Sequence, residues 1–547
     1  MKKLLMILGA AGVAVGAAIP AFAEDPYWTG NAGDLKLGTA ENWSTGSVPT
    51  EGNVNISLTT AQTLTNDDDS TFAPDSITFP SGSALVTISG GKAITGLLAI
   101  TNSASGVHHV FNCPVAFAED TDADITASGI SSTYIKYLGG MTMHKPKFSS
   151  YLSLSGQIKI TAEIDDWTAN KNIGLIHLWD SGTKLAISSS VEVKGCNNFQ
   201  LDAGTTVEID GDYIVSAPDT TTYFATSSMK ANSFAYDNRG VVKATGRIAT
   251  GAANVRFGAS SNSKNGVLAA RQFHANGRFV LSGWNGGSSV AEGGTLVVGA
   301  GGMTASSGSD FYIQASSIAL TSTIRPSADF AVDANLNVGQ NGSSKYYGNF
   351  TFNTTDYYDE TIGRKITLNK AVTHANILRA NGKGTLLFNA AGGDAPLLIA
   401  NDTCTVAVNP GCQPGSGNVT LNGQPTLKVA KSGTVTLGGT LTLYSEGTTL
   451  AFNFSERSTA PKLVIPVLSF SGGNNTTIGA VNVKISADDG VRPKQGAYVI
   501  ASSQSGSFTG KTINVVEAPS WLESVTVNSS GELVCNVKPA GLIISFY

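Results

Sequence analysis

Gly433-Thr434-Val435-Thr436-Leu437, Gly439-Thr440-Leu441-Thr442-Leu443 and Gly447-Thr448-Thr449-Leu450-Ala451-Phe452 are one short unit written three times in succession. A glycine leads, one or two threonines follow, and apolar residues alternate behind them. Glycine adopts turn conformations that other residues resist. β-Branched and apolar residues at alternate positions suit a pleated strand. The unit returns as Gly204-Thr205-Thr206-Val207-Glu208-Ile209, Gly294-Thr295-Leu296-Val297-Val298 and Gly384-Thr385-Leu386-Leu387-Phe388. Strands in series with no helical period between them describe a stack of strands.

From about 61 to 460 the same reading holds strand after strand, with Gly, Asn, Asp and Ser turns between. Ala84-Leu85-Val86-Thr87-Ile88, Gln157-Ile158-Lys159-Ile160 and Asn418-Val419-Thr420-Leu421 are examples. No stretch of ten or more residues carries helical apolar spacing and a good cap. The expectation is an all-β chain with a mostly parallel β-helix, a β-solenoid, over residues 61–460. A loose period of about 20–25 residues gives roughly 16–20 coils. At ~4.8 Å per coil the rod is about 80–95 Å long. Residues 24–60, with Trp28 and Trp43 in a turn-rich segment, read as a cover for the open end, since bare edges pair with other chains. Residues 461–547 are less repetitive and read as a C-terminal β-rich cap.

Lys2 and Lys3 precede an apolar stretch from Leu4 to Phe22 that ends Ala21-Phe22-Ala23. A basic start, an apolar middle and small residues before the cut describe a secretory signal peptide over residues 1–23, cleaved between Ala23 and Glu24. No later run approaches the ~20 apolar residues of a spanning helix. Removing the signal leaves 33 basic against 40 acidic residues, a net charge of −7. That mild acidity offers no basic footprint for nucleic acid. Charged residues are 14% of the chain, against ~25% in ordinary globular domains. Solenoid faces built from ladders of small polar residues explain the deficit. The 41% apolar content supplies a core that disordered chains lack.

Two segments resemble a known group. Arg278-Phe279-Val280-Leu281-Ser282-Gly283-Trp284 leads into Gly293-Gly294-Thr295-Leu296-Val297-Val298. Gly417-Asn418-Val419-Thr420-Leu421-Asn422-Gly423 runs on to Gly433-Thr434-Val435 and Gly447-Thr448-Thr449-Leu450. Both are similar to the autotransporter-associated β-strand repeats of bacterial surface proteins. The opening Trp28-x-Gly30, Asn42-Trp43-Ser44-x-Gly46 and Pro49 is similar to the lead-in before such passengers. The resemblance covers roughly 270–460 well and the rest loosely. It implies a right-handed parallel β-helix that is exported to the cell surface, the outer envelope or beyond. Typical autotransporters end in a membrane barrel of roughly ten-residue amphipathic strands. Here only residues 461–547 follow the repeats, so the expectation is passenger-like and without a C-terminal barrel.

Candidate chemistry is sparse. Read as one strand, Val207 to Tyr213 puts Glu208, Asp210 and Asp212 on one face. Clustered carboxylates suit calcium or a carbohydrate lyase, although no basic residue sits in that strand. A solvated outer face is the competing reading. Asn66-Asp67-Asp68-Asp69-Ser70 reads as a solvated turn, and Asp165-Asp166-Trp167 as a loop. The histidines His108, His109, His144, His177, His274 and His374 show no metal-ligand spacing. No nucleophile elbow appears with credible partners. Cys113, Cys196, Cys404, Cys412 and Cys535 are odd in number and widely spaced, so they form no disulfide framework. Cys404 and Cys412 are near enough in sequence for one bridge, and buried thiols are the alternative.

Tyr346, Tyr347, Phe350, Phe352, Tyr357 and Tyr358 form the most aromatic segment. Tyr346, Tyr347, Tyr357 and Tyr358 are the candidate ligand contacts, since tyrosines stack on sugars or partner proteins. Phe350 and Phe352 read as core. No catalytic, cofactor-binding or metal-binding residue is assigned, and no cofactor is expected. The functional expectation is a non-enzymatic structural or adhesive β-solenoid of a bacterial envelope, contacting glycans, other envelope proteins or copies of itself. The alternatives are a β-helix polysaccharide lyase or hydrolase, and a carbohydrate-binding surface protein without turnover.

Overall fold

The computed structural model describes residues 24–118, 123–127, 135–143, 146–147, 152–160, 176–193, 199–202, 204–215, 233–234, 240–250, 255–259, 266–276, 278–283, 295–315, 321–338, 340–341, 344–345, 348–373, 375–390, 393, 395, 397–471 and 478–540. Among them the chain is all-β, and its one helical element is the 3-10 turn Ala40–Asn42.

In each described copy of the glycine-led unit a strand starts at the glycine or within two residues of it. Thr206–Ile209, Thr385–Phe388, Thr440–Leu443 and Thr449–Phe454 are examples. The glycine is required for two reasons. Gly447 turns with φ +98°, a left-handed conformation that L side chains rarely adopt. At Gly384 a side chain would collide with the backbone of Arg364 on the preceding coil.

These strands pair in parallel with the strand one coil away, and the inward residues line up. Ile94, Val115, Met141, Ile158, Leu185, Val207, Val242, Leu268, Leu296, Ile324, Phe352, Ala380, Ala400, Leu421, Leu443 and Phe470 are joined partner to partner without a break. All but the partly buried Phe470 lie in the core. Sixteen coils rise by about 70 Å at ~4.8 Å per step. Successive partners are 28 residues apart four times from Leu268 to Ala380, then 20, 21 and 22 apart up to Leu443. The longer coils carry a further strand, Arg278–Gly283, Asp310–Ala315 and Leu336–Val338 on successive coils, and these pair in parallel into a separate sheet.

A second ladder runs from Tyr213 through Ile248, Phe273, Met303, Val332, Leu368, Phe388, Val408, Val429 and Phe452 to Ile485. Parallel stacking does not stop at residue 460. Pro461–Phe470 lies on both Gly433–Thr436 and Thr440–Leu443, and Thr512–Glu517 lies on Ala480–Ala487. Antiparallel pairing enters where Leu533–Val537 inserts between Gly496–Ser505 and Leu522–Val527. At the other end, Tyr27 bridges to Asn55 and Lys36 to Thr65. Trp43 stacks on Phe72 with centroids 5.3 Å apart and meets Trp28 edge-on at 5.4 Å.

Polar groups are also satisfied from coil to coil. Asn369 donates to Asp333 at 2.7 Å, Asn389 to Asn369 at 2.8 Å and Asn409 to Asn389 at 2.6 Å. These side-chain bonds run along the exposed face at the coil spacing and so favour the in-register stack. His109 is fully buried, stacked on Phe79 at 4.0 Å, with Nδ1 accepting the Val86 N–H at 3.1 Å. Burial, then repulsion from His108, pushes its pKa down to about 4. The unfolded chain therefore takes up a proton that the fold refuses. The stability this represents is complete above pH ~6.5 and is lost as pH falls towards 4.

Leu421→Ala should cost about 2–5 kcal/mol in denaturant unfolding, and the outward Thr420→Ala within about 0.5 kcal/mol. Between pH 7.5 and 5 the wild type should lose about 2 kcal/mol more than His109→Phe, whose pH profile is flatter over that window.

Candidate functional site

The aromatic segment divides as the strand pattern requires. Phe350 and Phe352 are fully buried and meet edge-on at 4.9 Å. Tyr346 and Tyr347 lie outside the described residues. Tyr357 and Tyr358 sit on an excursion between the strands Gly348–Asn353 and Lys365–Leu368, closed by a Thr355–Gly363 bridge.

Asp356 anchors this excursion. Its side chain is 4% exposed, and its carboxylate accepts Arg364 Nε–H at 2.7 Å and the amides of Tyr358 and Asp359 at 2.8 and 3.1 Å. Burial pushes the carboxyl up, but Arg364 and the two amides outweigh it and hold it below the ordinary carboxylate range. The Asp356 carbonyl accepts Arg325 Nη2–H at 3.0 Å, and the Tyr357 amide donates to the Pro326 carbonyl at 2.8 Å. The excursion is thereby pinned to the coil before it.

Register places Lys243, Ala269, Val297 and Arg325 in one outward row on four successive coils. Ala269 and Val297 are nevertheless buried. Arg325 Cζ lies 5.2 Å from the Tyr357 ring centroid, Lys243 Nζ lies 5.7 Å from that of Tyr358, and the two rings meet edge-on at 5.1 Å. The tyrosine pair thus spans the row and covers the small residues between its two cations. Tyr358 remains 60% exposed. Burial raises its hydroxyl above the ordinary value, and Tyr357, Asp356 and Glu208 push the same way.

The acid trio differs from the one-strand reading. The strand ends at Ile209, and Asp210-Gly211-Asp212 forms a corner before Tyr213–Val215. Gly211, at φ +143°, turns the chain at this corner. The three carboxylates therefore share no face. Glu208 pairs with Lys184 at 2.6 Å and Asp212 with Arg247 at 2.7 Å, both from neighbouring coils. Asp210 accepts the Thr245 hydroxyl at 3.0 Å. Asp67 in the acidic turn pairs with Lys36 at 2.8 Å. Among the described residues no group of three or more His, Cys, Asp or Glu could hold a metal ion.

Cys404 and Cys412 are free thiols, as are Cys113 and Cys535. The strand Thr405–Val408 separates the first two, and its four residues are about 13 Å long, beyond the ~7 Å Cα limit of a disulfide. Burial pushes the Cys404 thiol up to about 11 and that of Cys535 up to about 12. His274 approaches the hydroxyls of Thr304 at 2.9 Å and Ser306 at 3.3 Å. Asp165, Asp166, Trp167, Cys196, His144 and His374 lie outside the described residues. No described helix is long and apolar enough to cross a membrane.

No protein-family model and no curated protein matches the chain.

Asp356→Ala removes the acceptor of two amides and of the partly exposed Arg364, and should destabilise the excursion by about 1–3 kcal/mol. Amide exchange at Tyr358 and Asp359 should accelerate accordingly. Asp359→Ala, on an exposed side chain, should leave exchange at Tyr358 within about threefold of wild type.

Proposed function

We propose that this chain is an exported, non-enzymatic β-solenoid of a bacterial cell envelope, with a structural or adhesive role. The observation that carries this reading is the unbroken parallel ladder from Ile94 to Phe470. Stacking sixteen coils makes a long, pre-formed surface whose groups keep fixed spacings, which suits contact along a partner. In this reading the solenoid is right-handed, residues 24–60 close one end, and the antiparallel strands near the C-terminus close the other. The signal peptide is removed between Ala23 and Glu24.

A second reading, carbohydrate contact without turnover, is favoured by Tyr358, which keeps most of its ring accessible while the excursion beneath it is pinned. A lyase or hydrolase is the competing class. The acids that would serve it, Glu208 and Asp212, are tied to Lys184 and Arg247, an arrangement that fits a closed surface better than a free acid and base. Fractionation of the producing cells, with N-terminal sequencing of the exported form, tests the first reading. The account expects the protein outside the inner membrane with Glu24 as its first residue. Cytoplasmic protein retaining Met1 contradicts it. Depolymerisation of an acidic polysaccharide that Asp210→Ala abolishes would replace it with the enzyme reading.

A further inference from the structure

We infer that the Tyr357–Tyr358 excursion and Lys243 form a subsite for an acidic sugar, a uronic-acid unit of a polysaccharide. The inference rests on the carbohydrate-contact reading and adds the charge class of the glycan and the residue that selects it.

Most charges around the exposed ring are committed to partners. Arg364 is paired with Asp356, Arg325 lies 3.7 Å from Glu360, and Glu208 is paired with Lys184. Lys243 is exposed, and its register neighbour Glu208 pairs with Lys184, so among the described residues no acidic side chain forms an ion pair with Lys243, whose ammonium lies 5.7 Å from the Tyr358 ring centroid. An aromatic face provides an apolar platform for the C–H face of a pyranose, while the tyrosine hydroxyl serves the ring hydroxyls. A carboxylate on the sugar completes the site by pairing with Lys243, a charge-assisted contact stronger than a neutral hydrogen bond. A neutral hexose leaves that ammonium to water.

The platform is held in place before any ligand arrives. Asp356 fixes the Tyr358 amide, and the Pro326 carbonyl fixes that of Tyr357. Arg325 lies against Tyr357 and sets the ring pair at one end of the row. Fixed groups lose little freedom on binding, which favours even a weak, single-unit contact.

Calorimetry with the exported full-length protein tests this, using polygalacturonate and a neutral β-glucan of matched length, with Tyr358→Ala and Lys243→Gln as variants of unchanged melting temperature. The expected result is binding of polygalacturonate that weakens at high salt and falls by about tenfold or more in each variant, with weaker binding of the glucan. Equal binding of both polymers, lost in Tyr358→Ala but unaltered in Lys243→Gln, overturns the acidic preference and leaves the carbohydrate-contact reading standing. Polygalacturonate binding that survives Tyr358→Ala overturns the site. Binding of neither polymer overturns the inference and the reading beneath it together.

Discussion

In-register parallel stacking is the constraint on which the whole molecule depends. A coil of 17–35 residues cannot bury its inward side chains or satisfy its strand N–H and C=O groups alone. Leu421 is buried because Ala400 and Leu443 lie against it on either side. A one-residue slip would turn that inward residue out and bring a threonine in. The asparagine ladder from Asp333 to Asn409 adds a polar lock on the same register.

Stacking also fixes what the outside can do. Outward residues recur at the coil spacing, so charges meet opposite charges across coils, as in Lys184 with Glu208 and Lys484 with Glu517. Such exposed pairs are each worth about 0–1 kcal/mol. Their larger effect is to leave few charges uncommitted. Excursions between strands escape the repeat, and the one anchored by Asp356 uses that freedom to lay Tyr357 on the coil of Arg325 and Tyr358 beside Lys243, more than a hundred residues earlier in the chain.

The strands were legible because glycine-led turns and period-two alternation are local signals. Phe350 and Phe352 could be assigned to the core from parity alone. The acid trio was misjudged because Asp210 and Asp212 keep the alternation of a strand, while Gly211 breaks it by conformation. The Cys404–Cys412 pair illustrates the same limit: proximity in sequence says nothing of the strand that holds the two apart. Neither the anchoring role of Asp356 nor the nearness of Lys243 to Tyr358 could be read, since both depend on which coil stacks on which, and the loose period hid the count.

The most direct test measures distances between spin labels along one outward row. Thr206, Val241, Val267, Thr295, Thr323, Thr351, Arg379, Ile399, Thr420 and Thr442 are consecutive partners in it. Labels at 206 and 323 are four coils apart, and labels at 323 and 442 are five, with nearly equal numbers of residues between. At ~4.8 Å per coil the account predicts about 19 and 24 Å for these pairs, and about 43 Å between 206 and 442. Equal distances for the two shorter pairs, or a separation of 206 and 442 well below the sum of the other two, would contradict the stacked, in-register solenoid.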